Sequence, residues 1–407
     1  MNRLAISRAA NLAMFLFLVV LSWCFKASYF SFAVAIFIIF LLCDIWYSYR
    51  NHEKIFPDVS RPFKYMAGAI FSLYILFILT AIFHFDGQDV HKAIEYAYLS
   101  IPFFMTWWIS AKYSVSQGVR WGILVGAIIA CIIGGYQWYF HPGMRLYSSY
   151  ANPNHFGTMI DITLPLILYY MVKYKNKSYR LLSAMTIFTQ LCCLYATSSR
   201  GALIGLAAGM VFSTLVSLFI VKGKITPLVK KICIILTVVI ILFGGFGAYR
   251  MGHARPESHL GGERAFMAEA SVEMWEDYKL IGVGASHWQE NYYGKYHPVG
   301  ASGQGLTMPH NMMLYFLSTG GIIGGFGFIT FYVFSFLGIY QSLKKRNELI
   351  LCICVFIPFF AFFIQGLVDT TIINKIPARM YFAIMGCIVT LSASRLIANS
   401  EIKQLRE

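Results

Sequence analysis

The sequence predicts an all-α protein that crosses a membrane about twelve times, with one long loop between the ninth and tenth spans. Only 13% of the 407 residues are charged, and 58% are hydrophobic. Soluble domains carry about 25% charged residues, so most of this chain must have the bilayer as its solvent. A helix needs about 20 mainly apolar residues to cross a bilayer. The segments that meet this requirement are 9–25, 29–49, 65–84, 94–110, 121–140, 156–172, 181–197, 201–221, 232–249, 311–340, 349–368 and 378–397.

The positions of the basic residues predict which side of the membrane each loop faces. If the N-terminus is cytoplasmic, the alternating cytoplasmic segments hold 22 of the 33 Lys and Arg residues. Cytoplasmic loops of membrane proteins carry an excess of these residues. Both termini are therefore predicted to be cytoplasmic. The formal net charge of +15 is then mostly an orientation signal, so no nucleic-acid partner is predicted.

The predicted spans divide the chain into three parts. Residues 1–249 hold nine helices, residues 250–309 form the long outward-facing loop, and residues 310–407 hold three helices and a short tail. Inside the loop, apolar residues recur at every fourth position, which is typical of an amphipathic helix. These residues are Phe266, Ala270, Met274 and Tyr278. We expect this helix to lie along the outer membrane surface, and the Gly-rich segment after it to form a lid or one edge of a cleft.

The chain lacks the motifs of several enzyme classes. All nine cysteines lie in apolar runs, where they are predicted to pack as small core residues rather than form disulfides or a zinc site. We find no P-loop, no Gly-x-Ser-x-Gly motif, no His-Glu-x-x-His motif and no Asp-x-Asp for a sugar nucleotide. The predicted cytoplasmic loops are also short. We therefore expect no nucleotide and no cofactor.

The turn "YATSSRGALIGL", residues 195–206, places Arg200 between two span ends that face outward. Ser199 and its neighbours can cap a helix that starts near Gly201. A helix N-terminus binds anions, and an arginine adds a planar fork that matches phosphate. The alternative is that Arg200 reaches to the lipid headgroups, as basic residues at span ends often do. This turn therefore predicts either an anion-binding site or a lipid contact.

Three further outward segments contain candidate residues. The Asn-Pro-Asn segment 152–154 favours a turn and helix cap, with a ligand role for Asn154 as the alternative. His310 and Asn311 lie where the long loop meets the next span, and the glycines that follow have the small-xxx-small spacing of closely packed helices. Arg264 opens the loop helix, and its alternative role is that of an ordinary solvated arginine.

Acidic residues in unusual places give a second set of candidates. Asp161 lies about 10 Å into the sixth span, and a carboxylate at that depth is a functional candidate by default. Asp369 lies at the outer end of the eleventh span, as a partner for an arginine or as a helix-end residue in water. Asp86, Asp89 and His91 suggest a metal site, but no further matched ligand is apparent, so no metal is predicted.

In order and spacing, these motifs resemble the O-antigen ligase family. The motifs are Ser199-Arg200-Gly201-Ala202 between two spans, the run from Arg264 to Gly284, and Pro309-His310-Asn311 before a Gly-rich span. The resemblance implies a GT-C-like architecture and a glycosyltransferase of the bacterial inner membrane, with its active site at the periplasmic face. It also implies a glycan donor on undecaprenyl diphosphate, a lipid A–core acceptor in lipopolysaccharide biosynthesis, and a reaction without metal or nucleotide.

The roles that follow from the chemistry of these residues complete the prediction. We expect His310 to act as general base, and Arg200 and Arg264 to stabilise the departing diphosphate in an inverting displacement. Substrate contacts are expected from Ser199, Gly201, Asn154, Asn311, Asp161 and Asp369.

Three alternatives stay open. An O-antigen polymerase and a protein O-oligosaccharyltransferase would use the same lipid-linked donor. A transporter of lipid-linked glycans belongs to another class and predicts inverted repeats and broken helices around midplane charges. In this sequence, Asp161 is the only feature that favours a transporter.

Overall fold

The computed structural model describes residues 3–23, 27–221, 260–301, 303–346 and 348–391. All fourteen regular elements in these residues are α-helices. They are α1 Arg3–Trp23, α2 Ala27–Arg50, α3 Arg61–Phe83, α4 Gly87–Tyr98, α5 Ile101–Lys112, α6 Ser116–Phe140, α7 Pro153–Lys173, α8 Lys177–Thr197, α9 Arg200–Ile220, α10 Leu260–Asp277, α11 Trp288–Tyr293, α12 Met312–Leu343, α13 Leu349–Gly366 and α14 Lys375–Ile388. The predicted span 232–249 and the first residues of the long loop lie outside the described residues.

Eight of the described helices are long and apolar enough to cross a membrane. They are α1, α2, α3, α6, α7, α9, α12 and α13. The predicted fold class, an all-helical polytopic membrane protein, is confirmed. The count of twelve spans stays a prediction, as does the division at residues 249 and 309.

The prediction of one continuous helix over 94–110 is wrong. The structure has two shorter helices, α4 and α5, with a turn between them at Leu99 and Ser100. Pro102 lies in the first turn of α5, where its missing N–H leaves no helical hydrogen bond unmade. Asp86 caps the start of α4 because its side chain accepts a hydrogen bond from the N–H of Gln88, 2.9 Å away.

Helix α12 packs along α3 and is broken near its start. A Cβ on Gly320 would lie 3.0 Å from the Phe77 ring of α3, and one on Gly327 would lie 3.4 Å from the Leu73 backbone, so the glycines do permit close packing. Gly321 has another role, because its φ of 62° and ψ of −159° interrupt the helix. A residue with a Cβ rarely adopts a positive φ, so glycine is the residue that fits this break.

The long loop is hydrogen-bonded to the break in α12. The N–H groups of Val283 and Gly284 donate to the carbonyl oxygens of Ser318 and Thr319, at 2.8 and 3.1 Å, and the Ile322 N–H donates to the Lys279 carbonyl at 2.8 Å. These bonds satisfy backbone groups that the kink removes from the helical ladder. The loop segment after α10 is therefore held against the helix bundle by its own backbone.

The loop also has a small hydrophobic core of its own. It is formed by Met267, Ala270, Met274, Val283, Trp288, Tyr292 and Tyr296. The predicted apolar stripe of α10 is thus partly wrong, since Met267 is buried whereas Tyr278 lies beyond the helix and is 46% exposed. The buried stripe follows a helical spacing of three and four residues rather than a strict four, because 3.6 residues make one turn.

Candidate active site

Arg200 is the first residue of α9, in a turn that the sequence predicts correctly. Ser198 adopts the left-handed conformation that ends α8, and the Ser199 side chain accepts from the Ala202 N–H at 3.4 Å to cap α9. The Thr197 hydroxyl accepts from the Ser199 N–H at 3.1 Å. The Arg200 side chain is exposed and has no ion pair with any residue the structure describes.

A second arginine holds this turn in place. Arg145 Nε donates to the Thr197 carbonyl at 2.9 Å, and its Nη2 donates to Asn154 Oδ1 at 3.1 Å and to the Ser198 carbonyl at 3.4 Å. Arg145 is not among the residues predicted from the sequence. Its position in a segment predicted to face outward, against the general charge bias, is the signal that would have drawn attention to it.

The Asn-Pro-Asn segment is a helix cap, as predicted. The side chain of Asn152 accepts from the His155 N–H at 3.0 Å, and Pro153 is the first residue of α7. Asn154 connects three elements, since its side chain binds Arg145 and its carbonyl accepts from Gln365 Nε2 at 3.3 Å. Asn154 thus links the start of α7 to the α8–α9 turn and to the end of α13.

His310 and Asp369 form a hydrogen-bonded pair between residues that are 59 positions apart. His310 Nδ1 lies 2.9 Å from Asp369 Oδ1. The His310 backbone has a φ of 47°, and the next residue, Asn311, caps α12 by accepting from the Leu314 N–H at 3.1 Å. Asp369 is buried, whereas a third of the His310 side chain is exposed. Among the described residues, His310 Nε2 has no hydrogen-bond partner.

The charge of Arg264 acts on Asp369. Burial alone would raise the pKa of Asp369, but several groups together hold this pKa below its ordinary value. These are the hydrogen bond and charge of His310, the Thr370 N–H at 2.8 Å, and the charge of Arg264. From the sequence, Asp369 is expected to be either an arginine partner or a helix-end residue in water. The structure gives it His310 as its hydrogen-bond partner, with the Arg264 charge nearby.

The first turn of α9 packs against the end of α13, just before Asp369. A Cβ on Gly201 would lie 3.2 Å from Val368 Cγ2 and 3.7 Å from Gln365 Cγ. Gly201 therefore allows the close approach of the two helices. This contact brings the Arg200 turn to the chain segment that carries Asp369, the hydrogen-bond partner of His310.

Asp161 is the one candidate that the structure does not bring to this accessible region. It is fully buried in α7, and neither carboxylate oxygen has a hydrogen-bond partner in the described part of the chain. A Cβ on Gly205 of α9 would lie 3.4 Å from Asp161 Oδ2 and 3.3 Å from Gln365 Cβ. Asp161 thus faces α9 and α13 inside the helix bundle.

His155 is a second site residue that the sequence analysis missed. It interacts electrostatically with Asp369 and His310. One of its ring nitrogens, Nε2, lies 3.2 Å from the side-chain nitrogen of Asn152. His155 directly follows the Asn-Pro-Asn cap, and a histidine in the first turn of a helix predicted to begin at the outer face is the signal that would have pointed to it.

A comparison with protein families identifies one part of the chain. Residues 185–329 match the family model described as O-antigen ligase. This segment is similar to the O-antigen ligase family. It contains the three candidate catalytic residues, Arg200, Arg264 and His310, and the recognition of this family from the sequence is confirmed. No curated protein matches the chain.

The family match indicates a general chemistry for residues 185–329. Members of the O-antigen ligase family are glycosyltransferase-like enzymes, and the family implies lipid-linked glycan and polysaccharide substrates. The apolar helices indicate an integral membrane protein. Asp369, Asn154 and Arg145 lie outside the matched segment, yet they contact or neighbour it through the hydrogen bonds described above.

Proposed function

We propose that the chain is an O-antigen ligase. It transfers a glycan from undecaprenyl diphosphate to the lipid A–core oligosaccharide at the periplasmic face of the bacterial inner membrane. The observation that carries this proposal is the His310–Asp369 pair, with Arg264 acting on Asp369 and the Arg200 turn packed beside it. A base next to two fixed cations suits a reaction in which a hydroxyl is deprotonated while a diphosphate departs.

The base in this mechanism is His310. Its Nδ1 is held by Asp369, so Nε2 is the nitrogen that can accept a proton. The acceptor hydroxyl oxygen attacks the anomeric carbon of the glycan while its proton passes to Nε2. The bond between that carbon and the diphosphate oxygen breaks, and the electron pair stays on the diphosphate. One direct displacement of this kind inverts the anomeric centre.

The departing diphosphate is stabilised by positive charge from two directions. Arg200 contributes a guanidinium that is exposed at the N-terminus of α9, where free N–H groups also favour an anion. Arg264 contributes a second guanidinium from α10. Arginine suits this role because its planar fork matches two phosphate oxygens. Ser199, Gly201, Asn154 and Asn311 shape this site in the proposal by capping and close packing.

Asp369 and Asp161 have different parts in the proposal. Asp369 is a positioning residue, because it acts on the substrate through His310. Asp161 is a structural residue of the bundle interior rather than a substrate contact, since it is sealed between helices. This revises our expectation that both residues bind substrate.

The experiment that tests the proposal is a deletion of the gene followed by gel analysis of the lipopolysaccharide. We expect core oligosaccharide without attached polymer, and polymer that remains on its lipid carrier. Core that carries a single repeat unit would instead identify an O-antigen polymerase. Unchanged lipopolysaccharide together with an unglycosylated target protein would indicate a protein O-oligosaccharyltransferase. Lipid-linked glycan that fails to reach the outer face would indicate a transporter.

A further inference from the structure

Three metal-ligating side chains meet where the start of α4 contacts the loop segment between α10 and α11. Asp86 caps α4, Asp89 lies one turn further along α4, and His287 directly precedes α11. One ligand atom from each side chain lies within 4.8 Å of the other two. The His287 ring stands between the two carboxylates, with Nδ1 3.2 Å from Asp89 Oδ1 and Nε2 3.2 Å from Asp86 Oδ2.

Asp89 has an unsatisfied oxygen although it is completely buried. Its Oδ1 accepts from the Ser286 N–H at 2.7 Å and from the Ser286 hydroxyl at 2.6 Å. Its Oδ2 has no hydrogen-bond partner among the described residues, and the side chain has 0% exposure. A buried carboxylate oxygen without a partner is costly and calls for a compensating group. A bound cation supplies one.

The three side chains line a common cavity with room for an ion and its water ligands. The cavity has a volume of about 540 Å³, and Glu290 lines it as a further carboxylate. The ammonium of Lys295 also lines it, but this group is paired with Asp277 at 2.5 Å. The cavity wall therefore has a surplus of negative charge that the loop itself does not neutralise.

We propose that Asp86, Asp89 and His287 bind one divalent cation of the zinc type. One imidazole nitrogen and two carboxylate oxygens form a mixed set that suits Zn²⁺, whereas Ca²⁺ and Mg²⁺ prefer oxygen ligands alone. Two carboxylates balance the charge of the ion, and water completes the coordination. His91, the histidine that the sequence places beside these carboxylates, is exposed and lies outside the cluster.

The site has a structural role that is separate from the transfer reaction. It joins the start of α4 to the loop segment between α10 and α11, next to the backbone bonds that hold this segment on α12. The ion adds a further attachment between the loop and the helix bundle. This proposal does not depend on the donor or the acceptor of the enzyme.

The test uses the purified full-length protein in detergent, without a histidine tag and treated with a chelator. Zinc chloride is added, excess metal is removed, and bound metal is measured by mass spectrometry together with the thermal unfolding temperature. We expect one equivalent of zinc and a higher unfolding temperature. Asp86→Asn is the main variant, because asparagine keeps the helix cap but loses the charge. We expect its zinc affinity to fall by at least the roughly 10–100-fold that loss of an outer-shell partner causes.

His91→Gln is the matched control, since it removes an exposed imidazole from the same helix and should leave zinc binding unchanged. Equal zinc binding by wild type and by Asp86→Asn overturns the proposal. So does a response to calcium but not to zinc. A metal-free protein that is stabilised only by mild acid also overturns it, since His287 would then bridge the carboxylates as a cation itself.

Discussion

Among the described residues, a histidine meets a buried aspartate at two centres, and the surroundings of these centres differ in charge. His310 binds one carboxylate, that of Asp369, and has Arg264 nearby. His287 lies between two carboxylates, those of Asp86 and Asp89. The first centre is rich in positive charge, and the second is rich in negative charge.

The charged groups around a His–Asp pair decide which chemistry the pair can perform. A histidine with one nitrogen held by a carboxylate and the other without a partner is arranged to accept a proton. Nearby guanidinium groups add affinity for an anionic leaving group. A histidine flanked by two carboxylates can ligate a cation through one nitrogen while its other N–H donates to a carboxylate. We therefore propose catalysis at the first centre and metal binding at the second.

The largest expected effect is that of His310→Ala. Loss of a general base lowers the rate by about 10²- to 10⁴-fold. The measurement is glycan transfer to lipid A–core by membranes that contain equal amounts of each protein. His91→Gln is the control and should transfer at the wild-type rate, because this imidazole is exposed and far along the chain from the site. Full transfer by His310→Ala would exclude His310 as the base.

Arg200→Ala should come next. Removing one charge-stabilising contact costs about 10²- to 10³-fold in rate. Arg200→Lys should restore little of it, because lysine lacks the planar fork. Lys175→Ala, which removes an exposed cation from the α7–α8 turn, controls for the loss of charge alone. If Arg200→Lys transfers as well as wild type, a general positive charge suffices and the bidentate contact is not needed.

Asp369→Asn should lower kcat by a part of the roughly hundredfold or larger contribution of the base, with little change in KM. Asparagine keeps the shape of the side chain but removes the negative charge that favours the productive orientation of His310. The pH dependence of kcat should shift as well, which a purely structural role of Asp369 would not cause. A rise in KM with unchanged kcat would contradict a positioning role.

The next prediction concerns the second centre, where we expect a loss of stability rather than a loss of transfer activity. Gly284 has a φ of 101°, and a Cβ there would lie 2.1 Å from Asp89 Oδ2. Gly284→Ala should therefore lower stability by about 1–3 kcal/mol, the usual cost of a strained backbone residue. Thermal unfolding measures this effect. Gly87→Ala, where nothing lies within 4 Å, should be neutral. Equal unfolding temperatures for the two variants would show that this contact is relaxed at no cost.

The smallest effect concerns acid stability at the first centre. The pKa of Asp369 is lowered in the folded protein, so its contribution to stability is present above its unfolded pKa of about 3.9. The contribution is lost as the pH falls through the lower folded pKa. Thermal unfolding between about pH 5 and pH 3 should thus depend less on pH in Asp369→Asn than in wild type. Asp58→Asn, at an exposed site, should follow the wild-type curve.

Local features of the sequence determined where the helices lie and how several of them begin. The apolar runs, the Ser199 cap and the Asn152 cap depend on residues within one or two turns of each other, so their structure follows from the chain itself. The same local reasoning identified His310 and Arg200 as candidates, since both lie at the ends of predicted spans. It failed at 94–110, where hydropathy is continuous although the chain turns.

Only the tertiary structure decided which residues meet. Asp369 is hydrogen-bonded to His310, which is 59 residues away in the sequence, and Asp89 is hydrogen-bonded to His287, which is 198 residues away. His91, two residues after Asp89, is exposed. Arg145 and His155 were identified as site residues only from their contacts in the folded structure. Such pairs depend on how the helices pack and on where the loop backbone is hydrogen-bonded to α12 at the Gly321 break. No local propensity encodes these long-range contacts. The helices were therefore predictable from the sequence, and the partners of the charged residues were not.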